Sequence, residues 1–248
     1  MINKKDWFEH WFDSPYYHIL YKKRDDKEAQ HFLDNLIAFL KPKPKSSILD
    51  LACGRGRHAK YLNKKGFIVT GIDLSEASII DAKKFENENL SFYVHDMRDV
   101  FKVDYFDYVF NLFTSFGYFD TEESNLKTLI AVNNDLKMDS VFVLDFINAT
   151  QAINNLVTSE HIISGGIDFH IERSVVEGFI IKNISFRSKG LHHQFIERVQ
   201  ALDLKAFQEL LNKSNFEILH TFGNYHLEPF DELTSERLIM IAKKLETK

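Results

Sequence analysis

The sequence predicts an α/β fold, a mostly parallel sheet with helices on both of its faces and an antiparallel β insertion after the fifth strand. Three observations predict it. From residue 29 to residue 146, short apolar runs alternate with stretches of helical periodicity, the rhythm of strand-helix units in a parallel sheet. The run Ile48 to Leu51 breaks into Gly54 and Gly56 and then opens a helix, a strand-turn-helix signature. From about residue 160 to residue 200 the helical rhythm stops, and strands are separated by turn signals at Gly165-Gly166, Gly178 and Lys189-Gly190.

Composition narrows the class of protein. A chain of 248 residues with 44% apolar content is long enough to bury a sizeable core as one unit with an insertion. Its net charge is −5 and no stretch is rich in Lys or Arg, so a nucleic-acid partner is not expected. The single cysteine, Cys53, forbids an internal disulfide. No apolar run approaches the roughly 20 residues of a membrane span, and charges stand where a signal sequence would be apolar. The expectation is a cytoplasmic protein with no membrane partner; its oligomeric state is not written in the sequence. Cys, His and carboxylates form no zinc-like spacing, so no metal is expected.

Taken in order, residues 1–24 are aromatic and charged (Trp7, Phe8, Trp11, Phe12, Tyr16, Tyr17, Tyr21, Arg24) without clean periodicity. Bulky aromatics are costly in water, so this segment is expected to cover the carboxyl ends of the strands, where ligands of such sheets sit. Ala29, Phe32, Leu33, Leu36, Ile37 and Leu40 share one helical face, and Pro42 and Pro44 stop that helix. Strands follow at Ile48–Leu51, Phe67–Asp73, Leu90–Val94 and Tyr105–Leu112, with Ser75 as a helix N-cap between the second and third. Asp120-x-x-Glu123 reads as a capping box before a helix bearing Leu126, Leu129, Ile130 and Leu136, and Val141–Phe146 is the fifth strand. In the insertion, Phe169 and Ile171, then Ile180, Ile184 and Phe186, put one apolar face on the strands, which must be covered. Asp203 starts a helix with Phe207, Leu210 and Leu211, and Phe216–Phe222 and Leu238–Ala242 close the sheet. The expected division is a covering segment and helix (1–40), a cofactor-binding core (41–158), the β insertion as a lid or substrate wall (159–201), and a final helix with two strands (202–248).

The glycine turn carries the first chemical inference. Gly54 and Gly56 allow positive φ and let a ligand lie against bare amides at a helix start, and Asp73, closing the second strand, can bind both hydroxyls of a ribose. The ligand is therefore adenosine-bearing. Gly54-x-Gly56-x-x-Ala59 matches the dinucleotide fingerprint loosely, whereas Asp50-x-Ala52-x-Gly54-x-Gly56 adds a carboxylate before the glycines.

That fuller pattern closely resembles the first motif of class I S-adenosylmethionine-dependent methyltransferases. Gly71-Ile72-Asp73-Leu74-Ser75 resembles their second motif, His95-Asp96-Met97-Arg98 their adenine-binding turn, and Phe106 to Tyr118 the fourth-strand segment of a subgroup that includes sugar-amine N,N-dimethyltransferases. Two departures stand out: Arg55 replaces a small threonine, and Met138-Asp139 stands in place of a Pro-Gly turn. The resemblance implies a Rossmann-like seven-stranded sheet and S-adenosylmethionine as cofactor, with S-adenosylhomocysteine as product. It implies that Ala52, Cys53, Gly54 and Gly56 face the methionyl part, with Asp50 helping to orient its amino group. Asp73 would hold the ribose, Asp96 and the Met97 amide the adenine edge, Leu74 and Met97 the ring faces, and Asn111, Leu112 and Phe113 the methionyl ammonium. Tyr17, Tyr21 and Arg24 align with cofactor-binding residues of the subgroup, or else belong to a core-packing arm with a surface arginine. His58 touches the cofactor or a substrate edge, or is a solvated or capping histidine.

The implied activity is methyl transfer to a nitrogen or oxygen of a small-molecule acceptor. The alternatives are a nicotinamide-dependent oxidoreductase and a binding module without turnover. Tyr118, His192, His193, Tyr225 and His226 fall on segments expected to overhang the methyl group; Tyr118 is the first choice of base or substrate anchor and His193 the second. Strand alternation sends His192 and His193 to opposite faces, so at most one can face the pocket.

Overall fold

The computed structural model describes residues 7–22 and 26–246. Arg24 lies outside them. Trp7–Phe12 (α1) and Pro15–Leu20 (α2) are short helices; Ser14 caps α2 by accepting from the Tyr16 amide, and Pro15 begins it, where a missing N–H costs nothing. α3 (Asp26–Leu40) leads to β1 (Ser47–Leu51), α4 (Arg57–Lys64), β2 (Ile68–Asp73), α5 (Glu76–Lys83) and β3 (Leu90–Val94). Then come β4 (Phe106–Asn111), α6 (Glu122–Asp135), β5 (Leu136–Ile147) and α7 (Ala149–Asn154). The insertion holds β6 (Ser159–Ser164), β7 (Ile167–Val176), β8 (Phe179–Ser188) and β9 (Leu191–Gln200), and α8 (Leu204–Lys213), β10 (Phe216–Phe222) and β11 (Arg237–Lys244) end the chain.

Seven strands form one sheet in the order β10-β11-β5-β4-β1-β2-β3. The strands from β5 to β3 are parallel, and β11 runs antiparallel to both of its neighbours. Strand alternation sorts the core into two layers. Leu49, Phe142 and Leu144 point to the side of α6 and α8, with Leu129, Val132 and Phe207, while Ile48 and Val143 point to the side of α3 and α4, with Phe32, Leu36 and Leu62. Each such buried side chain contributes about 1.5–3 kcal/mol relative to exposure.

The second sheet, β6-β7-β8-β9, is antiparallel throughout. Its apolar face, with Phe169, Ile171, Ile184 and Phe186, is covered by Trp7, Trp11 and Leu20 of α1 and α2. The aromatic arm that lacked periodicity is thus two single helical stretches of six residues each, too short to show any.

Local differences from the sequence reading have plain causes. Thr121, rather than Asp120, caps α6 by accepting from the Ser124 amide; Asp120 is drawn off to pair with Arg198 of β9. β5 starts at Leu136, earlier than Val141, with a register shift against β4 between Phe106 and Tyr108. Asp139 takes φ 60° in the stretch where a Pro-Gly turn was absent.

Candidate functional site

A cavity of about 410 Å³ opens at the carboxyl ends of β1, β2 and β4. The turn after β1 forms its floor. Ala52 and Gly54 have φ 61° and 53°; the Cys53 amide donates to the Ile72 carbonyl at 2.9 Å and the Gly54 amide to Asp73, and a Cβ on Gly54 would meet nothing within 4 Å. That open space fits a ligand lying against backbone. Gly56 serves differently: at φ 73° it is the N-cap position of α4, and a Cβ there would lie 2.5 Å from the ring of Phe92. Its bareness admits close packing of helix on sheet and does not line the cavity.

Asp73 lines the cavity at the end of β2. Its Oδ2 accepts from the Gly54 amide at 2.8 Å and its Oδ1 from the Ser75 amide at 2.8 Å, so the carboxylate ties the glycine turn to the start of α5. Burial pushes its pKa up, against those two amides. Asp96 also lines the cavity; burial alone would raise its pKa, but the Arg98 side chain, with Nε 3.0 Å from Oδ1, and the Arg98 amide at 2.9 Å outweigh it and hold the carboxyl below its usual range. Leu74 and Met97 supply apolar wall between the two acids. Cys53 is buried, and burial raises its thiol pKa well above the ordinary value, which makes it inert as a nucleophile.

Tyr17, Tyr21, His58, Leu112, Phe113 and Tyr118 complete the predicted residues that meet here. His58, half-buried, stacks on Phe113 with centroids 4.9 Å apart and accepts at 3.1 Å from the Arg57 side chain. Asp50 and Asn111 stand behind the wall. Asp50 is 1% exposed and accepts from the Ala59 amide at 3.0 Å, which anchors α4 to the end of β1; burial raises its pKa to about 7. Asn111, fully buried, donates to the Leu51 carbonyl at 3.2 Å, and its Oδ1 has no hydrogen-bond partner among the described residues. His193 lines neither this cavity nor its neighbour. It lies on the covered face of the second sheet, stacked on Phe186 at 5.0 Å with Nε2 3.4 Å from the Tyr16 hydroxyl, because strand alternation gives it the parity of Phe195, which packs half-buried against the same cluster.

A second cavity of about 560 Å³ adjoins the first, and Tyr21, Arg57, Phe113 and Tyr118 line both. Its other walls come from the insertion sheet, with Glu160, Arg173, Lys182 and Glu197, and from Thr114, Tyr225 and Arg237. Phe113 and Thr114 both take positive φ, 58° and 59°. Asp145, 0% exposed on β5, holds this turn: its Oδ2 accepts the Phe113 amide at 2.7 Å, its carbonyl the Thr114 amide at 3.1 Å, and Arg237 binds both Asp145 and the Thr114 hydroxyl. The Tyr118 hydroxyl donates to the Thr114 carbonyl. The sequence reading missed Asp145, Arg237, Lys182 and Glu197. A carboxylate inside the apolar run Val143-Leu144-Asp145-Phe146 was the available signal for the first.

Known proteins resemble this chain in sequence and in fold. Residues 48–134 match a family described as a methyltransferase domain. The chain is 26% identical, over 91% of its length and 85% of the other's, to a glycine/sarcosine N-methyltransferase of Aphanothece halophytica. It is 31% identical, over 40% of its length and 42% of the other's, to a dTDP-3-amino-3,4,6-trideoxy-alpha-D-glucopyranose N,N-dimethyltransferase of Streptomyces venezuelae. The fold matches that of an S-adenosylmethionine-dependent methyltransferase from Clostridium acetobutylicum with a TM-score of 0.78 at 20% identity, over 98% of this chain and 100% of that one.

Proposed function

We propose that this chain, a class I S-adenosylmethionine-dependent methyltransferase by its fold and by the domain at residues 48–134, moves a methyl group to a nitrogen of a small-molecule acceptor by in-line displacement. The observation that carries this reading is the common wall of the two cavities. Tyr21, Phe113 and Tyr118 border both, so a ligand held by the glycine turn and an acceptor in the charged cavity would meet across those rings. The bound cofactor supplies a methyl on a sulfonium, already a good leaving group.

The chain's own residues do the holding. Ala52, Cys53 and Gly54 offer backbone to the methionyl part, Asp73 the ribose, and Asp96 with the Met97 amide the adenine edge. Asp73 keeps acceptor capacity beyond its two amide bonds, since a carboxylate has about four lone-pair sites. Asp50 and Asn111 act from behind, by fixing α4 and the end of β4. Tyr17 and Tyr21 close the cavity from the arm. Orientation is the larger effect: well-placed reactants are worth roughly 7–11 kcal/mol of barrier, and a general base about 10²–10⁴-fold in rate. The two relatives described above are named as N-methyltransferases, which supports nitrogen as the acceptor atom. Oxygen is the second reading, favoured by Glu197, which accepts from the Tyr21 hydroxyl at 2.6 Å and could take a hydroxyl proton through it.

The test is transfer of labelled methyl from S-adenosylmethionine to a panel of small amines, amino acids, amino sugars and phenols. Turnover of amines is expected. Turnover of phenols alone would move the acceptor to oxygen, and cofactor binding without turnover of any would favour a binding module.

A further inference from the structure

The inward face of the insertion sheet changes character along its length. Phe169, Ile171, Ile184, Phe186 and Phe195 share that face under α1 and α2. Two residues further along each strand, at the same parity, come Arg173 on β7, Lys182 on β8 and Glu197 on β9, with Glu160 beside them on β6. All four line the second cavity, and their side chains are only 34% (Glu160), 21% (Arg173), 14% (Lys182) and 18% (Glu197) exposed.

Arg173, Lys182 and Glu197 form a cross-strand row, and Glu160, opposite Ile171, reaches Arg173 on the diagonal. Arg173 and Lys182 are cross-strand partners in register, and like charges placed directly opposite are destabilising. The acids sit on the outside: Glu160 pairs with Arg173, and Glu197 lies 3.6 Å from Lys182. Partly buried ion pairs are a poor way to stabilise a sheet, because desolvation offsets much of the attraction, and apolar residues at the same parity already fill the rest of this face. Both cations also line the cavity, so an anionic group held there would meet a guanidinium and an ammonium side by side.

We propose that Arg173 and Lys182 form an anion seat for the methyl acceptor, so that the acceptor carries a carboxylate or phosphate group in addition to its nucleophile. This rests on the reading of the first cavity as the cofactor site and of the second as the acceptor site. A guanidinium suits the planar fork of a carboxylate or two phosphate oxygens, and the ammonium adds a point charge. Lys182 also donates to the Tyr21 hydroxyl, which borders both cavities, so the seat lies on the structure that joins acceptor to cofactor.

The test uses adenosine-linked probes built on the S-adenosylhomocysteine skeleton, each extended from sulfur by an alkyl arm of graded length ending in carboxylate, phosphonate, carboxamide or ammonium. Calorimetry on the full chain measures each against S-adenosylhomocysteine itself. The native chain is expected to bind a carboxylate or phosphonate arm about tenfold tighter than the carboxamide arm of the same length, about 1.4 kcal/mol. The better of the two acids identifies the source of the anion. Arg173→Gln and Lys182→Gln, made separately, should each cut that preference while leaving S-adenosylhomocysteine affinity intact, which a purely structural role would not do. Equal affinity for acid and amide arms at every length, a preference for ammonium, or a preference that survives both substitutions would overturn the anion seat alone. Failure of the native chain to bind S-adenosylhomocysteine would instead overturn the cofactor reading on which the proposal rests.

Discussion

Arg237 of β11 reaches Asp145 of β5 with Nη2 2.7 Å from Oδ1, and the same carboxylate accepts the Phe113 amide at 2.7 Å. One buried ion pair therefore fixes the turn that separates the two cavities, including two consecutive residues at positive φ. A non-glycine residue in that region costs of order 1–3 kcal/mol and persists only where its surroundings hold it. Asp145 and Arg237 are those surroundings.

Arg237→Met should destabilise the fold by about 3–5 kcal/mol, since it leaves a fully buried carboxylate without its ion partner. Adding Asp145→Asn should recover part of that loss, because the amide oxygen can still accept from Phe113. Urea unfolding of the native chain, the single variant and the double variant measures both effects; a double variant weaker than the single would count against the pairing argument.

Asp50 gives a pH signature. Its folded pKa, raised to about 7 by burial, stands above the unfolded value of about 3.9. Between those values the folded state keeps a proton that the unfolded chain has released, so this group's contribution to stability falls as pH rises through about 4 to 7 and is constant above. Asp50→Asn keeps an acceptor for the Ala59 amide and removes the titration. The variant should gain on the native chain by roughly 2–4 kcal/mol between pH 4 and pH 8, at about 1.36 kcal/mol per unit of pKa shift. Parallel denaturant curves at the two pH values check it, and a pH-independent difference would show that Asp50 does not titrate as its burial implies.

The two turn glycines should respond oppositely to alanine. Gly56→Ala places a methyl 2.5 Å from the Phe92 ring at φ 73°, and should lower stability by about 1–3 kcal/mol for the backbone alone. Gly54→Ala meets open space, so it should fold with only the roughly 1–2 kcal/mol penalty of a left-handed residue and lose cofactor affinity. Thermal melts and calorimetry separate the two, and a Gly54→Ala variant that binds normally would move the ligand away from this turn.

Asp73 and Tyr118 should divide binding from turnover. Asp73→Ala is expected to weaken S-adenosylhomocysteine by about 1.5–3 kcal/mol, the range for hydrogen bonds to a charged group. Tyr118→Phe removes only the hydroxyl that donates to Thr114, so cofactor affinity should stay nearly native while methyl transfer slows. A large affinity loss in Tyr118→Phe would place that hydroxyl on the cofactor side.

Much of this was legible because it is local. The strands Leu90–Val94 and Phe216–Phe222, the caps Ser75 and Asp203, and the three hairpins of the insertion are each decided by a few neighbouring residues. What escaped depends on distant partners. Asp120 was the better N-cap by type, yet Arg198, 78 positions away, claims it and leaves the role to Thr121. His193 looked like a pocket residue until Phe186 and Tyr16 closed over it. Asp50 matched a motif whose spacing gives position along a strand but not depth, and the structure puts it under α4. The second cavity is built from the turn after β4, the insertion and β11, segments that no periodicity links.

Everything proposed above depends on the first cavity being an S-adenosylmethionine site. Calorimetric titration of the full chain with S-adenosylmethionine, S-adenosylhomocysteine and NAD in one buffer tests it most directly. Micromolar binding of the first two with none of NAD is the predicted result. Selective binding of NAD, or no binding of any of the three, would contradict it, and in the second case Arg55, which lines the cavity beside Gly54, would be the first residue to replace.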